Sequence, residues 1–508
     1  MSFEPRAPRD DVNVSPTHPL VEAGWLVAAA LLAGVLLAFL AFGATEIVSR
    51  WLPADVETRI FAPAFDAVAG AAAPEETPRV AAARDLLARL AAHWPENPYR
   101  FRVIAVDAPE PNAFALPGGY IYVSRGILAL TNDEDELAGI LGHEIGHVAA
   151  RHSVRTISRA APLAVVTGLG AAVTGIVSPM LGSVVGGIGG LAGALVLAPY
   201  SRSQEEEADR VGQEMVAKAG FDPAGISRSL QTLEREEALH GNAPRDMDFF
   251  ATHPPLPRRV AATMEHAQGL TRGKATPPID TPERFLEHLR GLPVGARAAD
   301  GVFDGPLFLH PVLGFHVRFP AGWKTTNDAA AVGAVAPDKS GAVALELAQT
   351  SGGPEAAMRQ LEQETRMDLS RSAERVTIGG LPAVHSTAVA RTRNGPVALD
   401  LTWIALAGKV YRVTGMTRPE SFEKLLPSFQ QTAAGFGAIT AAERAGIKET
   451  RIKLATARGG ETLSVLLASA GSVWKPDYAA VANELETDSV LRKGRVVKAA
   501  VPTQAYSE

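Results

Sequence analysis

Hydrophobic and polar positions change period several times along this 508-residue chain, and each change marks an element. Residues 24–45 contain no charge over 22 positions. At 1.5 Å per residue such a helix crosses a hydrocarbon core of about 30 Å. A cleaved signal peptide has a shorter apolar core, roughly 7–15 residues, behind a basic head. Glu4, Arg6, Arg9, Asp10 and Asp11 make this head non-basic, so the pattern predicts an uncleaved transmembrane anchor over 24–45 behind a 1–23 tail. Arg6 and Arg9 before the span balance Arg50 and Arg59 after it, so charge alone leaves its orientation open.

Residues 67–78 read as a linker. Leu86, Leu87 and Leu90 then share a helical face. Residues 99–107 alternate like a strand, and 120–124 form a second strand after a Pro117-Gly118-Gly119 turn. This second strand, with Gly119, Tyr120, Ile121 and Tyr122, is a candidate edge for pairing with an extended peptide; a purely structural hairpin fits the pattern equally. A helix follows, with Thr131 and Glu134 as its expected capping box and Leu137, Ile140, Leu141, Ile145 and Val148 as its buried stripe. Residues 163–198 are uncharged and glycine-rich, with Gly182, Gly186, Gly190 and Ala194 every fourth position. They read as a helical hairpin, either dipping into the membrane or packed over the site, with a soluble buried hairpin as the alternative. Ser203 and Glu206 are expected to cap the next helix, which ends near Gly220. From about residue 300 to 437, strand-like runs at 343–348, 383–390, 397–405 and 410–414 alternate with helices near 354–368 and 421–432. A small unit at 451–501 closes the chain.

Composition narrows the chemistry. The net charge is −6, with charged residues at 20% and hydrophobic residues at 46%, and there is no basic stripe, so no nucleic-acid partner is expected. The absence of cysteine removes disulfides, thiolate zinc sites and a catalytic thiol.

The candidate chemistry lies in His143-Glu144-Ile145-Gly146-His147. On a helix, His143 and His147 lie on one face, one turn apart, where both imidazoles can bind one Zn²⁺ at about 2.0–2.1 Å. Glu144 sits about 100° round the helix, placed as a base for a water that zinc brings to a pKa of about 7. A catalytic zinc needs a third protein ligand. His152 is nine residues from His143 and is expected to face away, as a dipole-favoured cation near the helix end. Glu205 and Asp209, one turn apart in "SRSQEEEADRVG", are better placed: one carboxylate to bind zinc, the other to orient a ligand histidine. Ala208 and Gly212 offer small surfaces for close helix approach, while Glu206 and Glu207 read as acidic first-turn residues.

"NAFALPGGYIYVSRGIL", "ELAGILGHEIGHVAARH", "SRSQEEEADRVG" and "THPPLPRRV" together resemble the membrane-associated gluzincin zinc metallopeptidases typified by HtpX, BepA and the CAAX prenyl protease, closest to the BepA-like branch. The resemblance covers 79–268, with 163–198 as an insert. It implies one Zn²⁺ held by His143, His147 and Glu205, Glu144 as general base, Asp209 orienting a ligand, and His253 as a fourth ligand or latency switch. Residues 451–501 resemble a degenerate LysM module, with possible peptidoglycan contact or an ordinary βααβ scaffold as the two readings, and 300–437 resemble PsbP-like folds. The expected fold is α+β and multidomain, with a mainly helical zincin-like catalytic domain. The expected role is hydrolysis of misfolded or misassembled envelope proteins at the bacterial inner membrane, on the periplasmic side. The rival is a non-proteolytic assembly or cell-wall-binding protein.

Overall fold

The computed structural model describes residues 52–71, 78–94, 96–156, 199–240, 249–255, 258–274, 281–328, 331–348, 350, 352–392 and 395–506. The expected anchor at 24–45 and hairpin at 163–198 lie outside these residues. Among the described residues no helix is long and apolar enough to cross a membrane.

The first unit begins earlier than expected, because the linker assigned to 67–78 is partly helical: α1 runs Ala54–Ala71 and α2 Pro78–Ala91. Three strands follow, β1 (Arg102–Val106), β2 (Ala113–Leu116) and β3 (Tyr120–Ser124), in spatial order β1-β3-β2. β2, which the sequence reading does not include as a strand, forms a hairpin with β3 across the expected turn, and positive φ at Gly118 (92°) and Gly119 (84°) explains its Gly-Gly pair. β1, however, pairs with β3 in parallel. That corrects the peptide-edge assignment of Gly119, Tyr120, Ile121 and Tyr122. β3 is the central strand, paired on both sides and buried at all five positions, so it has no free edge to offer. Among the described residues β1 and β2 are the outer strands.

Short α3 (Arg125–Leu130) leads into α4 (Glu134–Ala149). The cap lies two residues beyond the expected pair. Asp133 accepts from Glu136 N at 2.8 Å, and Glu136 reaches back to Asn132 N at 2.7 Å. α5 (Arg202–Lys218) is likewise capped by Ser201 and Gln204 rather than by Ser203 and Glu206. α6 (Gly225–His240), α7 (Phe249–Thr252), α8 (Arg259–Gln268) and α9 (Pro282–Leu289) complete the helices around α4. Glu57 ties α1 to this unit. Its buried carboxylate accepts from Gly118 N at 2.7 Å, Tyr99 Oη at 2.9 Å and Arg151 Nη2 at 2.7 Å.

In the middle region β4 (Val302–Asp304), β5 (Leu307–His310), β6 (Phe315–Arg318) and β14 (Gly437–Ala438) form a four-stranded sheet. Beside it, β7 (Lys324–Asn327), β8 (Ala331–Val335), β9 (Gly341–Leu347), β10 (Glu374–Ile378), β11 (Leu381–Thr392), β12 (Gly395–Leu406) and β13 (Lys409–Thr417) form a seven-stranded antiparallel sheet in the order β10-β11-β12-β13-β9-β8-β7. The runs read as strands correspond to β9, β11, β12 and β13. The last unit is a βααβ fold. β15 (Lys448–Thr456) pairs antiparallel with β16 (Val496–Gln504), with α10 (Leu463–Ala470) and α11 (Pro476–Ala482) between them. Its Ile452, Ala482 and Ala500 join the same apolar core as Leu137, Ile140 and Leu230 of the helical unit.

Candidate metal centre

Close helix approach brings the site together. Gly142 and Gly146 of α4 meet Ala208 and Gly212 of α5. A Cβ on Gly146 would fall 2.5 Å from Ala208 O, and one on Gly212 would fall 2.6 Å from Gly142 O. With no side chains between the two backbones, Glu205 reaches the histidine face of α4. His143, His147, Glu205 and His253 are all buried, and each offers a ligand atom within 4.8 Å of the others.

The individual distances suit one ion. His147 Nε2 lies 3.0 Å from His143 Nε2, and His253 Nδ1 lies 3.3 Å from His143 Nε2 and 3.0 Å from Glu205 Oε1. The Glu205 carboxylate is 3.6 Å from His143 Nε2 and 3.5 Å from His147 Nε2. Donors around a tetrahedral zinc bonded at 2.0–2.1 Å sit roughly 3.3–3.4 Å apart. The outer nitrogens are also engaged, which fixes the tautomers. Asp209 Oδ1 lies 2.8 Å from His143 Nδ1, so that nitrogen carries the proton and Nε2 turns its lone pair inward. His147 Nδ1 faces His152 Nδ1 at 3.0 Å. Burial pushes His147 well below the usual imidazole range and keeps it neutral. Among the described residues neither oxygen of buried Glu144 has a hydrogen-bond partner, and its one ion-pair contact is His253 Nε2 at 3.5 Å; burial, outweighing His253 and His143, raises its pKa. A buried carboxylate without a hydrogen bond beside three imidazoles and a second carboxylate fits a site that takes a cation and a water.

His152 departs from expectation. α4 ends at Ala149, and Arg151 adopts φ 54°, so the chain turns back through a helical turn at 152–156. His152 is therefore fully buried behind His147 instead of facing away. Burial, the largest influence on it, lowers its pKa, so it is no surface cation. Glu207, assigned only to the helix dipole, lies 3.1 Å from His152 Nε2 and ends this relay.

Two participants escaped the sequence reading. Arg259, buried at the start of α8, binds Asp209 through Nε at 2.8 Å and Nη2 at 2.9 Å, and pairs with Glu205 at 2.7 Å. It lies in the same short motif as His253, which was the available signal. Burial opposes ionisation of Asp209, but Arg259 and His143 outweigh it and hold the carboxyl below its usual range. Tyr200 stacks on His147 with ring centroids 3.9 Å apart and shares a 2.7 Å hydrogen bond with Ser153. Nothing in its sequence neighbourhood singles it out.

Residues 74–267 match the model of peptidase family M48. This part of the chain is an M48 peptidase domain. The M48 region is 35% identical over 162 residues to the mitochondrial metalloendopeptidase OMA1 of Schizosaccharomyces pombe, covering 32% of this chain and 45% of that protein. It is 29% identical over 184 residues to the β-barrel assembly-enhancing protease of Escherichia coli, covering 35% of this chain and 37% of that one. The chain thus spans less than half the length of these curated relatives. A solution structure of cyanobacterial PsbP from Synechocystis resembles 28% of this chain and 98% of its own, at 12% identity and a TM-score of 0.23, too slight a likeness to argue from.

Proposed function

We propose that this M48 domain is a zinc endopeptidase in which His143, His147 and Glu205 hold the ion and Glu144 is the general base. The observation that carries the reading is the buried quartet of ligand atoms within 4.8 Å beside a buried Glu144 that no described residue hydrogen-bonds. Zinc, when bound, would supply Lewis-acid polarisation of a scissile carbonyl and make water more acidic. Glu144 would take the proton from the attacking water and return it to the leaving amine. Asp209, held by Arg259, would keep His143 in the tautomer that binds metal. An extended peptide would pair with the outer edge of β2. The acceptors there, Pro111 O and Ala113 O, are taken by Phe249 N at 2.8 Å and His253 Nε2 at 3.3 Å. His253 and its segment therefore occupy both the fourth ligand position and the peptide edge, as a latent state would require.

The substrates in this reading are misfolded or misassembled envelope proteins, met on the periplasmic side of a bacterial inner membrane that holds residues 24–45. Peptidoglycan contact through 451–501 belongs to the same reading, and a pull-down with purified sacculi tests it. With unfolded envelope proteins and zinc, Glu144→Gln should lower turnover about 10²–10⁴-fold; equal cleavage by variant and wild type would sink the mechanism. No cleavage by either would favour a non-proteolytic assembly role. His253→Ala should raise activity, and unchanged activity with zinc retained would count against latency.

A further inference from the structure

The most deeply buried lysine among the described residues belongs to the last unit and serves the first. Lys498, on β16, is 0% exposed. Its ammonium donates to Ala129 O at 2.8 Å, Leu130 O at 3.1 Å and Thr131 O at 2.9 Å. These carbonyls end α3, where a helix leaves its last acceptors unpaired and its dipole favours a cation. All three donors of the ammonium are used. The backbone of Lys498 is fixed in turn by Asn483, which accepts from Lys498 N at 2.7 Å and donates to Lys498 O at 3.0 Å.

The segment so gripped is the start of the metal-site helix. Residues 131–133 join α3 to α4, and every one of them is held. Lys498 takes Thr131 O, Glu136 takes Asn132 N, and Arg228 of α6 pairs with Asp133 at 3.0 Å. The βααβ unit adds rim contacts to the same patch. Arg235 Nη2 of α6 donates to Leu485 O at 2.7 Å, and Thr232 Oγ1 lies 3.3 Å from Glu484 Oε1.

We infer that the βααβ unit is part of the scaffold of the metal site, with Lys498 as a positioning residue that fixes where α4 begins and so holds His143 and His147 in register with Glu205. The metal readout of this inference rests on the zinc reading above; the exchange readout does not. The test uses the full chain with Lys498→Met. Hydrogen exchange over 127–137 should speed up about tenfold or more. Zinc should be retained several-fold less well against a chelator, and the visible absorption of cobalt-loaded protein should shift, with kcat falling and KM holding. Faster exchange confined to 484–504, with 127–137, metal retention and the cobalt spectrum unchanged, would overturn the inference. Should Lys498→Met fail to fold, Arg235→Ala loosens only the rim. It should give the same changes to a smaller degree, and an unaltered 127–137 segment and cobalt spectrum would overturn the inference equally. Accelerated exchange over 127–137 in a chain that binds no zinc would sink the zinc reading and support the clamp.

Discussion

Two buried polar centres lie in one continuous core and are built in opposite ways. Around Lys498, one charge meets three carbonyls and every donor is used. Around His143, four ligand atoms crowd together and Glu144 keeps two buried oxygens that no described residue hydrogen-bonds. Burial of polar groups is costly unless they are paired. A satisfied centre therefore serves architecture, while an unsatisfied one persists because something else completes it.

The sharpest way to break this comparison is to remove the unsatisfied charge. Glu144→Gln, which should abolish most turnover, should leave the thermal midpoint unchanged or higher, because the buried carboxyl loses its desolvation cost. A large fall in midpoint would place Glu144 in the scaffold. Next in size, Asp209→Asn should weaken metal retention about 10–100-fold by freeing the His143 tautomer, read by chelator competition. The satisfied centre should instead register in stability. Burial pushes Lys498 down to about 7, while its ordinary value is 10.5. Between those values the unfolded chain binds more protons than the folded one, so stability should rise from pH 7 towards 10, even though the folded group, on losing its proton, keeps only two of its three donors. Lys498→Met should flatten that rise in denaturant titrations, and an unchanged slope would count against the assignment. Smallest, Ser201→Ala should cost about 1 kcal/mol through the α5 cap, and calorimetry should detect it as a slight lowering of the midpoint.

Local periodicity made much of the site legible. His143 with His147 and Glu205 with Asp209 are one-turn pairs, and Ala208 with Gly212 announced a close helix crossing that the structure contains. The strands of the middle region were equally readable, since antiparallel neighbours alternate within short stretches. What stayed hidden depended on partners far away in sequence. Parallel pairing of β1 with β3 made the strand of Tyr120 central, because a central strand and an edge strand can share one alternating pattern. His152 was misplaced by a left-handed Arg151, a residue type that gives no warning of such a turn. Arg259 and Lys498 look like ordinary solvated cations until the fold buries them.

Glu57 adds a mechanical consequence. One carboxylate near the start of α1 holds the turn between β2 and β3 and also Arg151, just past the end of α4. Tension on the chain ahead of Ala54 would thus be delivered at the β2–β3 turn and just past the end of α4 together. A leash fastened there would haul this helical unit as one piece, leaving the spacing of its parts undisturbed.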